Sequence, residues 1–196
     1  MIHLVIGGSG SGKSEYAEMT AMVNCNQYKE DASMIYLATM QNYDRECQNK
    51  IDRHRKQRAG KHFETVECAK DLHLLNLKPT SCILLECLSN LLANEMYRED
   101  VKQRKKDVVE EILLGIRHLS DTTKNLIIVS NQVFSDGEAY DPETMKYIEQ
   151  LGKLHEEISR MDVCTRVTEV VFSIPIELKN TEQISKTEEN KNVGIL

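Results

Sequence analysis

Near its amino terminus the chain reads IGGSGSGKSEY, residues 6–16. Gly7, four residues, then Gly12, Lys13 and Ser14 have the spacing of a phosphate-binding loop. Glycines at Gly7, Gly8, Gly10 and Gly12 let backbone N–H groups converge on phosphate oxygens around Ser9 and Ser11. A helix opening directly afterwards points its positive end at the same phosphates. Lys13 then suits the β and γ phosphates, and the Ser14 hydroxyl suits Mg²⁺. The pattern carries weight only between a strand and a helix. "HLVI" before it and "SEYAEMTAMV" after it meet that condition. A glycine-rich turn with no ligand is the competing reading, and Lys13, Ser14 and these flanks argue against it.

Such a loop usually has an acidic partner at the end of a neighbouring strand, holding magnesium through water. Glu86, directly after the apolar run Cys82–Leu85, is the candidate. A carboxylate there lies on the ligand side of a parallel sheet. The alternative is that Glu86 only satisfies a nearby loop. Cys87 reads as buried packing rather than as a nucleophile.

A second cluster is basic. In KIDRHRKQRAGKH, His54 sits among Arg53, Arg55, Lys56 and Arg58, with Lys50 one turn earlier. On a helix Lys50, His54 and Arg58 share a face at i, i+4 and i+8, with Arg55 adjacent. The face could grip phosphates, with His54 as a passive donor or as a nucleophile toward a phosphoryl or nucleotidyl group. Nearby cations keep the imidazole neutral and neutralise an attacked phosphate. A solvated surface helix remains open on spacing alone. Glu67, in FETVE, is a candidate second acid near a nucleotide, and Thr39, ending MIYLAT, lies on the ligand side if the sheet is parallel. Asp44 and Glu46 read as caps of the basic helix. His3, His62, His73, His118 and His155 read as structural or surface residues.

The elements that must position these groups follow from apolar runs alternating with helix-like stretches, the rhythm of a mostly parallel sheet. The expected strands are His3–Ile6, Met34–Ala38, Cys82–Leu85, Leu126–Ser130 and Glu169–Ser173. Val101, Val108, Val109, Ile112, Leu113, Ile116 and Leu119 recur at helical spacing, which predicts a helix from Glu99 to Leu119. DPETMKYIEQLGKLHEEIS predicts another, with Asp141 as cap and Pro142 in the first turn. From Lys179 onward the chain is polar and is expected to fray.

With 196 residues the chain can bury one sizeable core. We expect one domain over residues 1–179 and a tail over 180–196. The net charge of −6 argues against non-specific nucleic-acid binding, so a local basic patch should meet a small anion. Six cysteines without a CxxC pair read as reduced thiols of a cytoplasmic protein, with no structural zinc. No apolar run is long enough to span a membrane.

The chain resembles the bifunctional adenosylcobinamide kinase / adenosylcobinamide-phosphate guanylyltransferase enzymes of cobalamin biosynthesis. The resemblance runs through LVIGGSGSGKSEYAE, YLATMQNYDRECQNKIDRHRKQRAGKHFETVE, LLECLSNLLANEM and LIIVSNQV, and ends in VVFSIPIELK. It implies a RecA-like P-loop NTPase fold, usually as a homotrimer. It implies phosphorylation of the corrinoid adenosylcobinamide with ATP or GTP, and then GMP transfer from GTP through a guanylylated histidine. The family's accepting histidine matches His54, its P-loop lysine and serine match Lys13 and Ser14, and its acids match Glu86 and Glu67. The sequence departs from the family at Gln132, where an acid is usual, and lacks the glycine-rich turn that follows. Lys146 and Lys153 stand where arginines are usual, Ala59 replaces a proline, and Phe63 replaces a tryptophan. On the residues alone, the rivals are a P-loop small-molecule kinase without a covalent step and a non-enzymatic nucleotide-binding switch.

Overall fold

The structure is a computed structural model and describes residues 1–27, 33–41, 60–99, 107–133 and 140–181. Its elements run β1 (Ile2–Gly7), α1 (Lys13–Asn26), β2 (Met34–Ala38), β3 (Glu64–Glu67), β4 (Thr80–Glu86), α2 (Leu88–Met96), α3 (Val108–Thr122), β5 (Thr123–Asn131), α4 (Pro142–Arg160), β6 (Cys164–Val171) and β7 (Ile174–Asn180). A short 3-10 turn at Leu72–Leu74 precedes β4. The strands form one sheet in the order β3-β2-β4-β5-β1-β6-β7. All pairings are parallel except β6–β7, an antiparallel hairpin at one edge. The fold is therefore mixed α/β.

β4 and β5 lie inside the sheet and read as near-continuous apolar runs because both of their faces are covered. On one face Val5, Leu84, Ile127 and Val129 pack against α1, which contributes Ala17, Ala21 and Cys25. These small residues recur every four positions, so α1 lies close to the sheet. The opposite face carries the larger core. There Leu4, Ile83, Leu85, Leu126 and Ile128 meet Leu91, Ile112, Ile116, Leu151, Leu154 and Ile158 from α2, α3 and α4.

Four strand cores fall where the apolar runs place them. The fifth, expected at Glu169–Ser173, is instead β6 at Cys164–Val171, because Phe172 and Ser173 take left-handed φ and form the hairpin turn. Two further strands appear. β3 is short and mostly exposed, and β7 presents Ile174, Ile176 and Leu178 outward. Neither has the buried run that marks an interior strand. The α3 helix begins at Val108 rather than at Glu99. The Asp107 side chain accepts the Val109 N–H at 2.8 Å and so fixes the first turn there. Residues 100–106, including Val101, lie outside the described residues. The Asp141 cap is as expected: its carboxylate accepts from the Glu143 and Thr144 amides at 2.9 and 3.1 Å. Lys179 and Asn180 belong to β7 instead of fraying, and the Thr181 N–H bonds the Thr165 carbonyl at 2.9 Å.

Candidate functional site

Parallel strands deliver their carboxyl ends to one edge, and β1, β2, β3 and β4 all end there. Registers align Glu67, Ala38, Glu86, Val129 and Val5 in one row across β3, β2, β4, β5 and β1. Beyond this row the chain leaves β1 as residues 8–12 and enters α1.

The loop is built around two glycines that nothing else could replace. A side chain on Gly7 would stand 2.5 Å from Ser11 Oγ and 2.7 Å from the Val170 carbonyl. Gly12 has φ +90°, and a Cβ there would meet Ser173 Oγ at 2.6 Å. Gly12 accepts the first helical bond, from the Tyr16 N–H at 3.0 Å. The unpaired amides at the start of α1 face the loop.

Lys13 is the first residue of α1 and is only 9% exposed. Its ammonium donates to the Gly8 carbonyl at 3.0 Å, so the side chain folds back over the loop. Burial lowers its pKa from the usual lysine value, offset in part by Cys87 and Glu86. At the next position of the helix, the Ser14 hydroxyl donates to Oε1 of Glu86 across 72 residues of chain. The other carboxylate oxygen, Oε2, is buried and has no hydrogen-bond partner among the described residues, and the same holds for Ser11 Oγ. A buried carboxylate oxygen left bare beside a hydroxyl is a set of hard oxygen donors, which suits Mg²⁺. Among the described residues no three His, Cys, Asp or Glu gather into a metal cluster. A cation here would complete its shell with water and phosphate oxygens, the habit of magnesium.

Thr39 is fully buried, and its hydroxyl is already engaged. It donates to the Cys87 carbonyl at 2.8 Å and accepts the Cys87 N–H at 2.7 Å, while the Thr39 N–H donates to the Glu86 carbonyl at 3.0 Å. The Glu86–Cys87 peptide is cis. Thr39 thus grips the backbone on which Glu86 is mounted. Glu67 is exposed and two strands from Glu86 in the same row, roughly 10 Å away at the usual strand spacing. Lys50, His54, Arg55 and Arg58, with Asp44, Glu46 and Ala59, lie outside the described residues. Lys61, just beyond them, makes an ion pair with Glu18, a buried carboxylate of α1.

Sequence reasoning passed over Asn94. Its side-chain amide donates to the Thr39 carbonyl at 2.7 Å and to the Ala69 carbonyl at 3.0 Å. The signal was a polar residue at a buried helical position in LSNLLANEM. Asn131, at the end of β5, donates to Ser89 Oγ at 2.9 Å, and Cys87 Sγ lies 3.0 Å from the same hydroxyl. Burial raises the Cys87 thiol pKa, which disfavours the thiolate a nucleophile needs. The five described cysteines are buried and free. Gln132 uses its backbone N–H on the Gly7 carbonyl at 2.9 Å, and Phe63 packs edge-on against Tyr36. Lys153 lies 4.0 Å from Asp107, and Lys146 is exposed. His3 is buried and His155 is partly buried, and they bond to Thr168 Oγ1 at 2.8 Å and Ser130 Oγ at 2.7 Å.

A protein-family model described as "Cobinamide kinase / cobinamide phosphate guanyltransferase" matches residues 3–178. The "Bifunctional adenosylcobalamin biosynthesis protein CobP" of Pseudomonas aeruginosa is 30% identical over 182 residues, covering 91% of this chain and 98% of that protein. The "Bifunctional adenosylcobalamin biosynthesis protein CobU" of Salmonella typhimurium is 29% identical over 145 residues, covering 68% of this chain and 76% of that protein. Among solved structures, the flagellar accessory protein FlaH of Methanocaldococcus jannaschii matches with a TM-score of 0.48 at 12% identity. That match covers 91% of this chain and 78% of FlaH and is a likeness of general layout only.

Proposed function

The chain belongs to the cobinamide kinase / cobinamide phosphate guanyltransferase family, and from that membership we propose how its residues divide the two reactions. The enzyme phosphorylates adenosylcobinamide and then transfers a guanylyl group to the product. The observation that carries the site reading is the Ser14–Glu86 pair, with a bare carboxylate oxygen, beside a lysine folded over a glycine loop.

In the kinase half, ATP or GTP seats its phosphates on residues Gly7–Ser14 of a RecA-like P-loop. Loop amides and the start of α1 bind the phosphate oxygens. The cobinamide hydroxyl attacks the γ phosphorus, a new P–O bond forms, the bond to the β-phosphate oxygen breaks, and the hydroxyl proton passes to solvent. Lys13 leaves the Gly8 carbonyl to stabilise charge on the phosphoryl in flight. Ser14 and Glu86 would hold Mg²⁺, which when bound supplies positive charge to the phosphate oxygens. Thr39 acts from behind, holding the backbone of Glu86 in place.

In the transfer half, a ring nitrogen of His54 attacks the α phosphorus of GTP. A P–N bond forms, the α–β bridging bond breaks, and pyrophosphate leaves. An oxygen of cobinamide phosphate then attacks the same phosphorus and releases the imidazole, yielding the GDP ester. Lys50, Arg55 and Arg58 neutralise the phosphates in both steps. Glu67, on the carboxyl edge, is the second acid near the nucleotide. Support for His54 comes from the strand-Thr, H-R-x-x-R, T-V-E order, which is far more specific than the loop.

The test is incubation with α-labelled GTP and mapping of the label. Acid-labile label on the wild-type chain, absent from His54→Ala, is expected. Label that persists in His54→Ala removes this residue from the role, and ATP turnover without labelled protein favours a kinase lacking the covalent step. We also place the chain in a homotrimer, as the resemblance implies. The outward apolar face of β7, with Ile174 64% and Leu178 56% exposed, supports an oligomer. Sedimentation equilibrium should return three times the chain mass, and a monomer at all concentrations would refute it.

A further inference from the structure

The hairpin that ends the sheet carries a feature the chemistry above does not use. Val171 pairs with Ile174, so the turn between β6 and β7 has only two residues, Phe172 and Ser173. Both are left-handed, with φ of 48° and 63°. Two-residue hairpins of this kind want Asn-Gly or Gly-Gly, because a side chain at positive φ is strained. A bulky aromatic residue is among the worst choices for such a position. Phe172 is nevertheless there, and it is 89% exposed, so no core packing explains it.

Position supplies a reason. The turn is fastened to the phosphate-binding loop: the Ser173 N–H donates to the Ser11 carbonyl at 2.7 Å, and Ser173 fills the space a side chain on Gly12 would need. Val170, on the strand that leads into the turn, likewise closes on Gly7. Phe172 is therefore an exposed aromatic residue on a rigid turn, beside the loop that gathers phosphates. A nucleotide seated on that loop carries its base one ribose away from the phosphates. Flat bases and aromatic rings stack without regard to base identity, and exposed aromatics are the usual platforms. Strained residues of this kind cluster at ligand sites.

We propose that Phe172 is a stacking platform for the purine base of the nucleotide held by the phosphate-binding loop. The proposal deepens the reading of that loop as a nucleotide site and rests on it. Stacking on Phe172 adds affinity for ATP and GTP alike and so does not choose between them.

The test exploits the absence of tryptophan from the chain. Phe172→Trp installs a single reporter and keeps an aromatic face. Its fluorescence should be quenched by GTP and by ATP with Mg²⁺, and not by tripolyphosphate, which has no base. Phe172→Asn suits the left-handed turn better than phenylalanine, so it should fold at least as well. It should bind GTP and ATP about tenfold more weakly, the scale of one lost base stack, while tripolyphosphate affinity stays unchanged. Unchanged nucleotide affinity in Phe172→Asn, or equal losses for nucleotide and tripolyphosphate, would overturn the platform. So would fluorescence of Phe172→Trp that follows protein concentration rather than nucleotide, which makes the residue a contact between copies. A wild-type chain that binds neither tripolyphosphate nor nucleotide would instead overturn the loop reading beneath it.

Discussion

Glu86 is asked to do two jobs that pull against each other. As a half-buried carboxylate with one buried oxygen bare, it costs stability, because an unpaired buried acceptor forfeits its hydration. As a holder of magnesium next to Ser14, it gives the phosphates a counter-charge. Replacing it with glutamine removes the charge and keeps the shape. We expect Glu86→Gln to be as stable as wild type or more so, and to need about 10–100-fold more Mg²⁺ for half-maximal kinase rate. A rate-against-magnesium titration beside a thermal melt checks both halves. An unchanged magnesium requirement would take Glu86 out of the metal site. At this scale the glycine loop, Lys13, Ser14 and Glu86 were legible because the motif is local and its strand-end partner sits after an obvious apolar run. The use of the Thr39 hydroxyl was not. Its partner is Cys87, 48 residues away, and no spacing rule connects them. The identity of the residue announced a polar group at a strand end, but only the fold shows that the hydroxyl is consumed by backbone.

Helix α2 is the element that turns three strand ends into one platform. Asn94 spends both amide hydrogens on the Thr39 and Ala69 carbonyls, tying the exits of β2 and β3 together. One residue on, Glu95 accepts the Asp71 N–H at 2.6 Å, and Arg98 bridges Asp71 and Glu95 at 2.8 and 3.0 Å. The loop after Glu67 is thereby pinned to the helix that follows Glu86. Asn94→Leu keeps the volume and deletes the donors, leaving two carbonyls short of a partner. It should cost about 1–3 kcal/mol for each carbonyl left unsatisfied, read from urea denaturation. It should also lower kinase kcat with little change in nucleotide KM, because it loosens Glu86 and not the glycine loop. Lost stability with an unaltered kcat would make the clamp a support of the fold alone. Elements were legible in proportion to burial. β4 and β5 read plainly because they are covered on both faces, whereas β3 is four mostly exposed residues and β7 turns its apolar side chains outward. The late start of α3 was hidden because the apolar stripe does extend back to Val101. The Asp107 cap, a local hydrogen-bond competitor, decides the first turn.

For the whole molecule, parallel topology explains why residues from 7 to 86 meet at one edge, and strand order was the part that pattern could not supply. Apolar runs say which segments are strands, not which are neighbours. The same topology buries two histidines in the sheet's surroundings and gives the fold an acid limit. His3, on β1, and His155, on α4, each have their pKa pulled down from 6.5 to about 4. For His3 the chief cause is burial, helped by the Arg166 charge, and for His155 it is burial alone. Both are neutral in the folded chain and take up a proton more readily once unfolded. Between pH 6.5 and 4 the unfolded state therefore binds more protons, and stability falls as pH falls through that window. Above pH 6.5 the two groups are neutral in both states and contribute no slope. Each can remove at most about 3 kcal/mol by pH 4, at about 1.4 kcal/mol for every pH unit crossed. Urea midpoints should thus be flat from pH 8 to 7 and drop steadily below 6.5. Replacing either histidine with glutamine keeps a hydrogen-bonding group and removes the titration, so each variant should lose part of the acid slope and the double variant most of it. A wild-type midpoint that is the same at pH 5 and pH 7.5 would mean that these side chains find water or a counter-charge when protonated, and that the sheet's interior is less closed around them than their burial says.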